Sequence, residues 1–400
     1  MDDPYALSPL DLVSGSPIGL VPGPAVPGAI AGATPLSCFE SAVLSALRRP
    51  PCVVSFSGGR DSSAVLAVAT SVARKEGLPL PIPVTHRFPG APETDETDWQ
   101  ETVVRHLGLD DWSRVDFDDE LDLVGPIAQK VLGRHGVLWP ANSHFHVPVL
   151  DACKGGSVLT GIDGDGLLAS WRWARAAAVL AGRARPIPRD VVRLGLALSP
   201  RPIRAVGLLM DGKGPPLPWL RAPAARAVNR AWAASGSAEP LRWDRRVRWW
   251  ARLRGLRLTI HSFDLLARDA GALAVHPLAD DRFLAAMASD GGRFGIGDRT
   301  AWMERLFGDA LPEAILRRRT KAPFNAAFWT EHSRSFARSW HGGGVDPGLV
   351  DHAALRREWL DEQPDARSSL LIQSAWLAET AAGAPTSRHR EVEQPVDGNR

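Results

Sequence analysis

The stretch VVSFSGGRDSSA (53–64) constrains the fold more than any other part of this chain. The apolar run that leads into it, PCVVSFS (51–57), has the length and β-branched content of a strand buried on both faces. Two glycines follow, and then DSSAVLAVATSVARKEG (61–77), an amphipathic helix ending at Gly77. A strand passing through a tight glycine turn into a helix is the first half of a βαβ unit, which implies a parallel sheet. The alternation continues downstream. LPIPVTHRF (80–88) reads as a strand and ETDETDWQETVVRHLG (93–108) as a helix with acids in its first turn. WSRVDF (112–117) reads as a strand, LDLVGPIAQKVLGRHG (121–136) as a helix with an awkward Pro126, and SVLTG (157–161) as a short buried strand.

Around this α/β segment (37–170) the texture differs. Residues 8–36 are rich in Pro, Gly, Ser and Ala, so 1–36 reads as a loosely ordered arm. Residues 171–380 carry Arg, Ala, Leu and Trp with few strand signals, which predicts a mainly helical region completing the same unit. Residues 381–400 read as a disordered tail. With 44% apolar and 23% charged residues the composition is that of a soluble globular protein, and a net charge of +2 points to no particular polyanion. Cys38, Cys52 and Cys153 lie far apart without a CxxC, which predicts free buried thiols rather than a disulfide frame or zinc site. The start, MDDPY, lacks a signal-peptide layout, and no apolar run is long enough to span a bilayer, so a cytoplasmic protein without a membrane partner is expected.

In an open parallel sheet, ligands bind beyond the carboxyl ends of the strands, where SGGRDSS lies. Gly58 and Gly59 permit close backbone approach, and the N–H groups opening the helix point at an arriving anion. Ser57, Ser62 and Ser63 add hydroxyl donors. Asp61 is out of place beside a phosphate unless a cation lies between them, and magnesium would resolve the conflict. The competing reading is that Asp61 and Ser62 only cap the helix. A Walker loop is excluded, because its GK[ST] ending is missing.

SGGRDSS resembles the SGGxDS loop of the PP-loop ATP pyrophosphatase superfamily, with its adenine nucleotide α-hydrolase-like sheet. LTGIDGDGLLAS (159–170) is similar to the TGxGGDELF segment of the asparagine synthetase branch. On that resemblance Ser57, Gly58, Gly59, Asp61, Ser62, Thr160 and Gly161 hold ATP and its pyrophosphate, and Asp61 and Asp165 share Mg2+. Gly166 stands where the family has glutamate, and Asp163 where it has glycine, so Asp163 is a displaced acid that compensates or a sign of a weakened site. RDAGALAVHPLADDRFLAAMA (268–288) is similar to a further family segment, with Asp280 in a structural, helix-capping role. RRRTKAPFNAAF (317–328) matches the setting of the family's lysine, which makes Lys321 the catalytic cation near the α-phosphate. The competing reading of RRRTK is a solvated basic face. Only five residues of the chain are lysine, which gives a lysine at that place some weight.

The resemblance implies an ATP-dependent, AMP-forming ligase that makes an amide through an acyl-adenylate, with adenine near Thr85 and Thr160. Synthetases of this branch carry an amino-terminal glutaminase domain, and the short stretch ahead of this loop leads to the expectation of a synthetase domain without one. The expected substrates are therefore a small-molecule or peptide carboxylate and either free ammonia, an amine from a donating or delivering partner protein, or an amine already on the substrate. The last is the chemistry of the related β-lactam synthetases and lasso peptide macrolactam synthetases. The rivals are a tRNA-modifying PP-loop enzyme and a non-catalytic nucleotide-binding protein. Nucleic acid is not expected as a partner. LRWDRRVRWWARLRGLR (241–257) reads first as an amphipathic helix with tryptophans in the core and arginines in water, and second as a grip for a peptide, nucleic acid or membrane. His144 and His146 alternate in a short extended stretch, and the sole tyrosine, Tyr5, lies in the arm, away from any site.

Overall fold

The computed structural model describes residues 3–22, 26, 28, 31–169, 171–211 and 216–383; residues 384–400 of the expected tail lie outside them. Five parallel strands, β1 (Cys52–Ser55), β2 (Ile82–Arg87), β3 (Ser113–Asp116), β4 (Ser157–Leu159) and β5 (Leu273–Val275), pair in the order β3-β2-β1-β4-β5. The chain first moves outward from β1 through β2 to β3, then returns to lay β4 on the other side of β1. The reversal leaves a crevice between the loops that follow β1 and β4, where open α/β sheets bind ligands. Cys52, Val53, Val54, Val158 and Leu159 are all buried, as strands covered on both faces require.

The helix after β1, Arg60–Glu76, buries Ala64, Val65, Leu66, Val68, Ala69 and Val72 and ends at Gly77, which takes a left-handed φ of 66°. It packs against Pro35–Leu47, which in turn packs on Asp281–Asp290. Asp280 caps that last helix, accepting from the N–H groups of Arg282 and Phe283. All three cysteines are free and buried. No helix among the described residues is long and apolar enough to cross a membrane.

Several expectations need correction. The mainly helical region contributes β5, a three-residue strand too short to show a period. Pro126 interrupts nothing: the helix Pro126–His135 begins on it, where the missing N–H costs no bond. Residues 121–125 form a turn around buried Asp122, which accepts from the N–H groups of Val124 and Thr330 and from the hydroxyl of Ser333. The arm is partly built into the fold. Ser8 and Asp11 form a capping box for the helix Pro9–Ser14, and buried Asp11 pairs with Arg254 at 2.9 Å. Residues 241–257 form the helix Trp243–Trp250 and the start of a second, Arg254–Asp269, rather than one helix. Trp243 is in the core as expected, but Arg246 joins it, with no exposed surface. Its charge is met by Glu239 at 3.2 Å and by the rings of Trp243 and Trp250.

His144 and His146 lie on the short 3-10 helix Ser143–His146, not on an extended stretch. Below the carboxyl end of β2, His86 stacks edge-on against Phe117 and Phe145, and neither ring nitrogen has a partner among the described residues. Burial lowers the His86 imidazole to about 4 and the His146 imidazole to about 3. Both rings fold neutral but accept a proton near pH 6.5 once unfolded. Their contribution is therefore complete above pH 6.5 and drains away as pH falls toward 4, at about 1.4 kcal/mol per pH unit for each ring. His86→Phe should flatten this acid slope of stability, read by urea unfolding at a series of pH values; an unchanged slope would refute the assignment.

Candidate active site

The site is assembled where two loops nearly touch. After β1 the chain turns at Gly58 (φ 79°) and enters the helix at Gly59. The Ser57 and Ser62 hydroxyls lie 3.1 Å apart, and Ser57 Oγ accepts from the Gly59 N–H. After β4 the chain passes Thr160 and Gly161 into the short helix Gly164–Ala169. A Cβ on Gly161 would lie 2.8 Å from the Ser62 nitrogen, and one on Gly164 would lie 2.1 Å from Asp61 Cγ. Any side chain at either position would force the loops apart, so these glycines set the width of the crevice.

Asp61 and Asp165 face each other across it, and both are held by Arg299, the first residue of the helix Arg299–Phe307. Arg299 Nη2 donates to both oxygens of Asp61, at 2.8 and 2.7 Å, while Nη1 binds Asp165. Lys321 Nζ reaches the other Asp165 oxygen at 2.7 Å from a largely exposed position. Burial raises the Asp61 carboxyl above its ordinary range against the pull of Arg299. Burial acts the same way on Asp165, but Lys321 and Arg299 together outweigh it and hold that carboxyl low. Two convergent carboxylates suit magnesium, which takes one or two of them and completes its shell with phosphate oxygens and water. Among the described residues no group of three or more potential ligands forms a closed metal cage. The donors thus fit an ion carried in with a nucleotide, with Arg299 as counter-ion before it arrives.

A cavity of about 310 Å³ opens above these groups. Ser57, Gly59, Asp61, Ser62, Thr160, Gly161, Asp165 and Lys321 all line it, so the sequence-derived residues come together, Gly58 excepted. Gly58 turns its carbonyl to Arg318 instead. Ser63 is fully buried and supplies no hydroxyl to the crevice. Thr85 is not at the end of its strand and does not line the cavity; it is buried, bonding the Phe56 carbonyl and accepting from Trp112. Thr160 stays at the rim of the site, its hydroxyl 2.7 Å from His276 Nδ1. Arg60 bonds Thr300 Oγ1 and the Leu316 carbonyl, both at 3.3 Å, so it ties the first loop to the later helices.

The loop bearing Lys321 is anchored by a buried ion pair that sequence reasoning missed. Arg318 and Glu96 are each 4% exposed and form a bidentate pair. Arg318 also donates to the Gly58 carbonyl at 2.9 Å and stacks over Trp99, while Glu96 accepts from the Ala322 N–H at 2.9 Å. One pair thus joins the phosphate-type loop, the helix Thr97–Leu107 and the lysine loop. Glu96→Gln leaves a buried guanidinium uncompensated and should cost about 3–5 kcal/mol in stability, measured by denaturant unfolding. A loss below 1 kcal/mol would show the pair to be dispensable.

The structure also explains Gly166. A Cβ there would fall 2.2 Å from Trp250 Cζ2. The Trp250 indole donates to Asp163 Oδ1 at 2.7 Å, and Asp163 holds a left-handed φ of 83°. Asp163 therefore does not compensate at the metal position. It is committed to Trp250, and burial pushes its carboxyl up to about 8. Arg246 completes the group, donating to the Gly166 and Leu167 carbonyls. Tryptophan fills the volume a glutamate would need. Gly166→Glu should destabilise the protein by about 1–3 kcal/mol through overpacking, and adding Trp250→Ala should restore part of the loss in thermal denaturation. Equal melting of the single variant and wild type would refute the collision.

A parallel sheet with a glycine- and serine-rich anion loop, paired acids and a cationic loop at its switch point defines a nucleotide-dependent enzyme. The asparagine synthase family model matches residues 37–379, and the chain belongs to that family. It is accordingly an ATP-dependent, amide-forming ligase. No curated protein matches it.

Proposed function

We propose that this ligase forms AMP: it joins the carboxylate of a peptide or natural-product acid to an amine through an acyl-adenylate. The observation that carries the reading is the meeting of Lys321, Asp165, Arg299 and Asp61 in one cavity with the serine loop. A carboxylate oxygen attacks the α-phosphorus, and the bond from that phosphorus to the bridging oxygen breaks, releasing pyrophosphate. The amine nitrogen then attacks the acyl carbon, AMP departs with the former carboxylate oxygen, and the amine loses a proton to solvent. Asp61 and Asp165 would hold Mg2+, which supplies positive charge to the pyrophosphate. The N–H groups at the start of the helix Arg60–Glu76, with Ser57 and Ser62, orient the leaving group. Lys321 supplies fixed positive charge where the α-phosphate becomes more negative.

A second cavity, of about 570 Å³, shares Ile162 with the first and supports the class of the acid. Trp139, Trp232, Trp250, Leu253 and Leu256 line it together with Pro17 of the arm, and among the described residues its one ionisable lining residue is Asp163, whose carboxyl burial pushes up to about 8. Such walls offer no cation for the second carboxylate of a small diacid. They suit a larger acid with an apolar or aromatic body. The tRNA-modifying rival would call for a reactive cysteine pair, and it is disfavoured because burial drives both Cys52 and Cys153 up to about 11 and keeps them protonated.

Incubation with ATP, Mg2+ and a panel of amino acids and peptides should release AMP and pyrophosphate, and Lys321→Met should lower that rate by about 10²–10³-fold while the protein remains folded. ADP as product would overturn the mechanism. Nucleotide binding without turnover, unaffected by Asp61→Ala, would favour a non-catalytic binding protein.

A further inference from the structure

We propose that the hairpin formed by the helices Pro188–Leu198 and Arg201–Met210 docks this protein on an anionic lipid surface. Both helices are apolar in sequence yet barely contribute to any core: Arg201–Met210 has no buried residue, and Pro188–Leu198 buries only Asp190 and Ala197. Val191, Val192 and Leu198 are 72%, 74% and 67% exposed, and Ile203, Val206 and Met210 are 57%, 54% and 82% exposed. Ile203, Val206 and Met210 recur at i, i+3 and i+7, so they share one helix face, and Val191 and Leu198 share one face of the other helix. The inner side of Arg201–Met210 packs on Ala222–Ala238, which turns the apolar face away from the body. Single exposed apolar residues need no explanation, whereas a run of them on two adjoining helices marks a contact surface.

The charges around the patch select the occupant. Arg185, Arg189, Arg193 and Arg201 are exposed. Of the two acids in this segment, Asp190 is buried and paired with Arg175 at 2.8 Å and Arg193 at 3.5 Å, which leaves Asp211 as the exposed one. Arg201 lies roughly opposite Ile203, Val206 and Met210, and on the other helix Arg189 and Arg193 lie opposite Val191 and Leu198 with Arg189 flanking Val192, so basic side chains border the apolar face as on a helix that lies in a membrane interface. A second copy placed on this patch would bring like charges together across a two-fold axis. The apolar arc on Pro188–Leu198 is also broad, since Val191 and Val192 are adjacent yet both exposed, and a fluid phase accepts such an arc more readily than a groove does. This surface runs against the sequence-based expectation of no membrane partner, and it is independent of the chemistry assigned to the crevice.

The test is co-sedimentation of the full chain with vesicles of phosphatidylcholine containing phosphatidylglycerol, and with vesicles of phosphatidylcholine alone. Retention by the anionic vesicles that exceeds retention by phosphatidylcholine alone and falls with added salt, that drops about tenfold for Val192→Asp/Met210→Asp, and that is lower and less salt-dependent for Arg189→Gln/Arg201→Gln, supports the proposal. All four side chains are exposed, so circular dichroism should show the variants folded. Three results overturn it: no retention by anionic vesicles, retention unchanged by the aspartate pair, or retention of an acidic peptide or self-association in light scattering that the aspartate pair abolishes while vesicles never bind.

Discussion

Everything at the crevice depends on how closely two stretches of backbone approach. The loop after β1 and the loop after β4 come together because Gly161 and Gly164 have no Cβ where Ser62 and Asp61 already stand. That approach sets two carboxylates on opposite walls of one cavity, a repulsive arrangement that persists only if positive charge lies between them. Arg299 provides it from the start of a helix nearly 240 residues further along the chain. The helical region is therefore a structural partner of the sheet: it brings Arg299, Arg318 and Lys321 to loops whose own basic residue, Arg60, is turned toward Thr300 and Leu316.

The sheet and the phosphate-type loop were legible because they are encoded locally. Strand β1, its glycine turn and the helix Arg60–Glu76 are contiguous, and their apolar pattern has one reading. Thr160, Gly161 and Asp165 followed from a second contiguous motif and do line the same cavity. What escaped was encoded between distant residues. Glu96 sits among other acids and Arg318 within a basic run, so neither differs in sequence from a solvated charge. Only the fold makes them a buried pair. Strand β5 escaped for another reason: three residues complete no period, and its place at the sheet edge is decided by pairing with β4.

Gly166 shows how a departure from a family pattern can be a packing fact before it is a chemical one. Trp250 occupies the volume next to it, Asp163 orients the indole, and Arg246 binds the neighbouring carbonyls. These residues lie in two separate motifs that sequence reading treated independently, yet they form one unit. The same tryptophan lines the apolar cavity, so the side chain that leaves no room for a Cβ at position 166 is also a wall of the adjoining space.

Arg299 carries a consequence for how the enzyme waits. Arg299 already lies between the two carboxylates, so the chain itself offsets their mutual repulsion. On the proposed reading, capture of a metal-bound nucleotide is an exchange of counter-ions rather than the filling of an uncompensated charge. The acids of the resting crevice already have their positions set, among a lining in which basic side chains outnumber them, and in that exchange the free energy of binding is reduced by whatever is spent in separating Arg299 from Asp61 and Asp165.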